Sequence, residues 1–325
     1  MITADAQVIL LLCSHLGLSP NSEYKPLTLK EWNRLALLLQ SNKLRPEVLL
    51  EWGQNDITKD LEIENDEAKR IKLLIDRSGS LALELERLES LGIRVFTRAD
   101  SDYPQRYRQR LKESAPSILF YAGEKALLGQ PGIAVVGSRR LDLAGQECAS
   151  FIGNACGYSG LVLYSGGAKG VDTISMQAAL NSRGTAVGIL SDGLVNAIRK
   201  QENRKSLEHG DLCLATPYTP EAGFSVGAAM GRNRLIYGLA DYAIVVASDY
   251  EKGGTWAGAR EALKAAWVPV FVLKHDEMPE GNKQLIKKGA LAFPHPFPGQ
   301  FLALENWLKS TSEQSASKPI QERLI

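Results

Sequence analysis

The sequence predicts an α/β protein, a doubly wound and mostly parallel sheet preceded by a small N-terminal helical domain. Three observations carry this. From Ile133 onward, short continuous apolar runs recur at Ile133–Val136, Leu161–Tyr164, Ala186–Leu190, Leu212–Ala215, Ala243–Ala247 and Val268–Leu273. Runs that are apolar throughout, rather than alternating, mark strands covered on both faces. Segments of helical length separate them, and strand–helix alternation at this spacing builds a parallel sheet of about six strands.

The elements follow in order. Residues 1–78 read as a helical accessory domain without a glycine-rich loop. Leu29–Leu39 repeats apolar residues at helical spacing, and Thr28 with Glu31 three residues on is a capping-box signature. Pro46–Trp52 and Ala68–Ile75 continue in short amphipathic pieces. Residues 79–300 hold the sheet domain, opening with a helix over Ser80–Leu91 and short strands at Ile93–Phe96 and Ile118–Tyr121. Between Arg94 and Lys112 stand six basic residues against two acidic ones, read as a solvated stretch of surface. Residues 301–325 are expected to form a short helix and a flexible polar tail, the tail running from Lys309.

Composition narrows the function classes. With 44% hydrophobic and 23% charged residues, the 325-residue chain folds rather than remaining disordered. A net charge of +1 excludes a histone-like polycation, but a local basic groove needs no global excess. Cys13, Cys148, Cys156 and Cys213 form no CxxC pair, and the four histidines are scattered, so neither a zinc site nor a disulfide framework is expected. The Val8–Cys13 run is too short to span a membrane and has no basic residue ahead of it, so a cytoplasmic protein is expected.

Three glycine-rich strand-to-helix junctions fall on one edge of the predicted sheet, where doubly wound folds bind ligands. The first, Gly137-Ser138-Arg139-Arg140, combines a tight turn, a hydroxyl and two planar cations, with Asp142 placed to cap the next helix. The second, Ser165-Gly166-Gly167-Ala168-Lys169-Gly170, frees backbone N–H groups to face an anion and adds Lys169 as a point charge. Asp172 reads as a helix cap. The loop has neither GxGxxG nor the Ser/Thr that follows the lysine of a Walker loop, so no Mg-ATP site is assigned. The third, Gly253-Gly254-Thr255-Trp256, allows close approach, and its tryptophan could stack on a base or pack its helix. A fourth element, Arg232-Asn233-Arg234, is read as lying at the start of an apolar helix, a position suited to phosphate. Arg139, Lys169 and Arg232 are expected to converge on one crevice, each neutralising a phosphate at little cost to folding. The Arg199, Lys200, Arg204 and Lys205 cluster reads as an exposed helix face. No catalytic, metal or cofactor residue is assigned.

Val136-Gly-Ser-Arg139, Ser165-Gly-Gly-Ala-Lys-Gly-Val-Asp172 and Arg232-Asn-Arg-Leu-Ile236, in that order, resemble the DprA/Smf DNA-processing family, as does the lead-in Thr97–Pro104. The resemblance covers residues 80–273. It implies an extended Rossmann-like fold that binds single-stranded DNA, forms homodimers and helps load RecA during DNA uptake, recombination or repair. The sequence departs from the family at three places. The nearest phenylalanine, Phe224, lies eight residues ahead of Arg232 rather than just before it. The third loop reads Gly-Gly-Thr-Trp in place of Ser-Gly-Ser-Leu, and no C-terminal winged helix is expected.

The rival reading is an enzyme or nucleotide-binding protein of the same wider group, a phosphoribohydrolase acting on a nucleoside monophosphate. Those proteins place a carboxylate three residues after the threonine of a Gly-Gly-x-Gly-Thr loop. Here the first carboxylate after Thr255 is Glu261, six residues on, so it is displaced by three residues, about 300° of helical rotation at ~100° per residue. A general acid so displaced loses its reach.

Overall fold

Apolar runs of four or five residues become parallel strands here because helices cover both faces and no alternation is needed. The computed structural model describes residues 2–19 and 21–317. The chain forms two compact units, Met1–Tyr121 with Pro217–Pro220, and Ala122–Thr216 with Glu221–Ile325.

The first unit holds helices α1 (Ala4–Cys13), α2 (Leu29–Ser41), α3 (Gln54–Leu61), α4 (Asn65–Ile75), α5 (Ser78–Ser90) and α6 (Gln105–Arg110), with strand β1 (Ile93–Thr97) and most of β2 (Ile118–Gly123). Val8 to Leu12 of α1 are buried on every side, as a helix at the centre of its unit requires. The Arg77 guanidinium closes the end of α1 by donating to the carbonyls of Leu11, Ser14 and Leu16. The capping box of α2 forms as expected, with Thr28 N donating to Glu31 Oε2 at 2.7 Å and Glu31 N to Thr28 Oγ1 at 3.3 Å.

In the second unit the order of elements is β3 (Gly132–Val136), α7 (Leu143–Ser159), β4 (Val162–Ser165), α8 (Val171–Asn181), β5 (Thr185–Ile189), α9 (Leu194–Arg199), α10 (Gln201–His209), β6 (Leu212–Thr216), α11 (Val226–Leu239), β7 (Tyr242–Val245), α12 (Gly253–Ala265), β8 (Val270–Lys274), α13 (Glu280–Lys287), β9 (Leu291–Pro294) and α14 (Leu304–Ser317). The strands lie side by side as β6-β5-β4-β3-β7-β8-β9. Every pairing from β6 to β9 is parallel. The six expected parallel strands are all present, and β9 is added to them. The chain winds outward from β3 to β6, returns through α11, and winds outward again from β7 to β9. The reversal lies between β3 and β7, the place where doubly wound sheets open a crevice.

The C-terminal stretch differs from expectation. The polar segment from Lys309 is helical to Ser317, and the rest of the expected tail lies outside the described residues. Leu304 and Leu308 are buried, and the Trp307 ring sits 5.5–5.7 Å from the rings of Phe271, Phe293 and Phe297. Those anchors hold the first turns of α14 to the sheet unit, and the helix propagates from them through residues of little apolar content.

Candidate functional site

The loops after β3, β4 and β7 enclose a crevice of about 630 Å³ at the carboxyl ends of the strands, with the start of α11 on its far side. The first loop is tied to the third, since Ser138 N donates to Ala247 O at 2.8 Å. It is also pressed against the second. Gly170 has φ +91°, and a Cβ there would lie 2.6 Å from Ser138 O, so only glycine permits this approach. Gly137, Ser138, Arg139 and Arg140 all line the crevice, and both arginines are exposed. The Asp142 carboxylate accepts from Gly145 N at 2.7 Å, the cap anticipated for α7.

Two amides of the second loop are turned inward rather than toward an incoming anion. Gly166 N and Ala168 N each donate to Asp172 Oδ2 at 3.2 Å. The Arg232 guanidinium lies against Gly166, where a Cβ would overlap it, and its charge favours ionised Asp172. Burial works the other way and raises the Asp172 pKa above the usual carboxylate range. Part of the nest expected for phosphate is thus taken by the chain's own carboxyl group. Ser165 is buried with Oγ donating to Val135 O at 2.6 Å, so it braces two strands and does not face the crevice. Gly167, Lys169 and Gly170 are not among the residues that line the crevice, although their neighbour Ala168 is, so the structure does not bring Lys169 into the lining with Arg139 and Arg232. Lys169 is exposed and forms no ion pair among the described residues.

The Arg232-Asn233-Arg234 element is not at a helix start. Helix α11 begins at Val226, capped by Ser225 Oγ, which accepts from Ala228 N at 3.1 Å. Arg232 and Asn233 therefore lie in its second turn and are 4% and 8% exposed. They form part of the crevice floor, Arg232 toward Asp172 and Asn233 packed beneath Gly254 and Gly258 of α12. Arg232 is accordingly a buried counter-charge, not an exposed cation whose loss folding tolerates. Arg234 lies outside the crevice lining, half-buried, with Nε donating to Gly231 O at 3.0 Å.

Gly253, Gly254 and Thr255 line the crevice, whereas Trp256 does not. Its ring is 4% exposed and packs edge-on against Tyr250 at 5.1 Å, so it has no open face for a base. The aromatic that does face the crevice is Phe224, which stands outside all four of the elements suited to phosphate. It is 55% exposed, and the Arg139 guanidinium lies over its ring at 5.4 Å. Val226 and Met230, also exposed, line the same side. An isolated phenylalanine among glycine, serine and alanine just before a helix was the available signal. Glu261 is exposed and is not among the residues that line the crevice.

No helix among the described residues is long and apolar enough to cross a membrane. The chain is 26% identical to the DNA processing protein DprA of Bacillus subtilis over 77% of its length and 87% of that protein's. It is 30% identical to Streptococcus pneumoniae DprA over 54% of its length and to Escherichia coli Smf over 64%, alignments that span less than two thirds of either relative. Among solved structures, DprA from Streptococcus pneumoniae superposes over 90% of this chain and 94% of its own with a TM-score of 0.66 at 22% identity. DprA from Helicobacter pylori, whose structure concerns its binding of single-stranded DNA, matches over 68% and 96% with a TM-score of 0.53 at 23% identity. The family model for DNA recombination-mediator protein A matches residues 94–296, well over half the chain, and takes in every loop of the crevice. The chain belongs to that family, the DprA/Smf proteins.

Proposed function

We propose that the crevice binds single-stranded DNA, with phosphates on the outer cations and a base on Phe224. The observation that carries this is the pairing of Arg139 with the exposed Phe224 ring. Arg139, Arg140 and Lys169 are exposed, and none forms an ion pair among the described residues. Their charge is therefore available to a polyanion, and backbone contacts of this kind position a strand without reading its sequence. An aromatic face beside such cations is how single-strand sites take bases of any identity. The proposal is one of binding without turnover. Asp172, the buried carboxylate at the crevice floor, is already engaged by two loop amides and by Arg232's charge.

The same proposal includes a role in DNA uptake, recombination or repair, transfer of the bound strand to RecA, and self-association as a homodimer, all supported by family membership. It also includes a cytoplasmic location, supported by four free cysteines, of which three are buried and one is half-buried.

Fluorescence anisotropy with labelled single strands at several salt concentrations tests the binding site. Arg139→Ala and Lys169→Ala should each weaken binding of every sequence and lower the salt slope by about 0.7. Wild-type affinity and slope in both variants would refute the assignment. Competition by nucleoside monophosphates run alongside would favour a small-nucleotide site instead.

A further inference from the structure

The carboxyl edge of the sheet is electrically lopsided. The loops after β3 and β4 carry the exposed cations Arg139, Arg140 and Lys169 against one exposed acid, Asp142. The loops after β7 and β8, with the start of α13, carry Asp249, Glu251, Asp276, Glu277 and Glu280, all exposed, against Lys252 and Lys274. A polyanion seated in the crevice is repelled on the β7–β8 side and favoured toward β5.

Ser191, in the loop after β5, lines the crevice, and α9 starts three residues later. That helix ends on Arg199, and Lys200 forms the elbow that leads into α10. The elbow is fixed by Asn203 Nδ2 donating to Ala197 O at 2.9 Å. Arg204 N donates to Lys200 O at 3.2 Å, which sets these two cations one helical turn apart, with Lys205 next in sequence. Arg199, Lys200, Arg204 and Lys205 are all exposed, and none forms an ion pair among the described residues. Arg204 and Glu208, at i,i+4 spacing, form no ion pair among the described residues. Glu202, Glu208 and the loop residue Asp192 reduce the positive excess here without cancelling it. At about 1.5 Å of rise per residue, Arg199 lies ~9 Å along α9 from its crevice end. That is the reach of about three nucleotides at ~3.4 Å each.

We propose that the α9–α10 elbow is a second backbone-binding subsite, which takes the continuation of a single strand as it leaves the crevice on the β5 side. This rests on the reading of the crevice as a single-strand site and gives that site a direction of exit.

The test compares thymidine oligomers of about 4 and about 20 nucleotides, at the short end of and beyond the usual span of one single-strand site. Both are titrated by anisotropy against the full chain, at several salt concentrations. In the wild type, the salt slope should be larger for the long oligomer than for the short one. The combined variant R199A/K200A/R204A/K205A should bind the short oligomer as the wild type does. It should bind the long one at least about tenfold more weakly, with a slope lower by about 0.7 for each phosphate that is no longer neutralised. Equal wild-type slopes for the two oligomers overturn the subsite, as does unchanged long-oligomer binding by the variant. Equal weakening for both lengths also overturns it, because the four cations would then act on the crevice itself. A wild-type chain that binds neither oligomer refutes the crevice reading first, and the subsite with it. Equal wild-type slopes overturn the subsite even where the variant folds poorly, and the paired variants R199A/K200A and R204A/K205A place it where the combined one does.

Discussion

Replacing Asp172 with Asn keeps the side chain's size but removes the charge facing Arg232 beneath the crevice. Leaving one member of a buried, electrostatically coupled pair without the other costs up to about 3–5 kcal/mol, so Asp172→Asn and Arg232→Ala should both lower stability. Because the two groups act on each other, the double variant should lose less than the sum of the single ones. Denaturant unfolding of the three variants measures this, and additive losses would show that the two do not interact. Trp256→Ala belongs to another class. Its ring is buried against Tyr250, so truncation should cost about 3–5 kcal/mol of stability and leave strand affinity per folded molecule unchanged. Phe224→Ala should do the reverse. It should weaken single-strand binding by about 1–3 kcal/mol with an unaltered salt slope, because a stacking contact carries no charge. Thermal unfolding of that variant should match the wild type, since the ring is more than half exposed.

At the level of elements, two caps give separate expectations. The hydrogen bond from Arg70 holds the Glu31 carboxyl of the α2 capping box down to about 2, from an ordinary value of 4.5. A carboxyl lowered on folding stabilises the folded chain above its unfolded value, and that contribution is lost as pH falls from about 4.5 toward 2. Glu31→Gln should therefore lower stability at neutral pH and flatten the acid limb over that window, with stability near pH 2 little changed, as followed by circular dichroism. Ser225→Ala should cost about 1 kcal/mol by removing the cap of α11, the turn that carries Phe224 to the crevice. Short-range signals of this kind could be read in the sequence. The Thr28–Glu31 box, the Asp142 cap and the three glycine-rich loops stand where their residue types predict. The start of α11 was not legible, because Val226–Gly231 is a run of small residues without a helical apolar period, and the glycine before Arg232 imitates a boundary. Strand β9 was missed for a related reason, being four residues long and ending in proline. The engagement of Asp172 depends on an arginine 60 positions further along the chain, and local spacing holds no record of it.

Across the whole molecule, a net charge of +1 gives no long-range pull on a nucleic acid, so any salt dependence must come from a few local cations. The measured slope should then count those cations and nothing more diffuse. Self-association is a separate matter, and light scattering at micromolar protein should give twice the chain mass, whereas a concentration-independent monomer would exclude the dimer. The partly filled nest under the second loop has a consequence for selectivity. A lone phosphate, whether inorganic or on a mononucleotide, finds two of the amides there already held by Asp172. What is left on the rim is a set of separate, individually weak charges beside one ring. Only a molecule that repeats its phosphate along its length can engage several of them at once, and tethering raises the effective concentration of each successive phosphate. With a carboxyl group of its own in the pocket, the chain should therefore respond to polymers over monomers, and weak competition by nucleoside monophosphates against a labelled strand would bear this out.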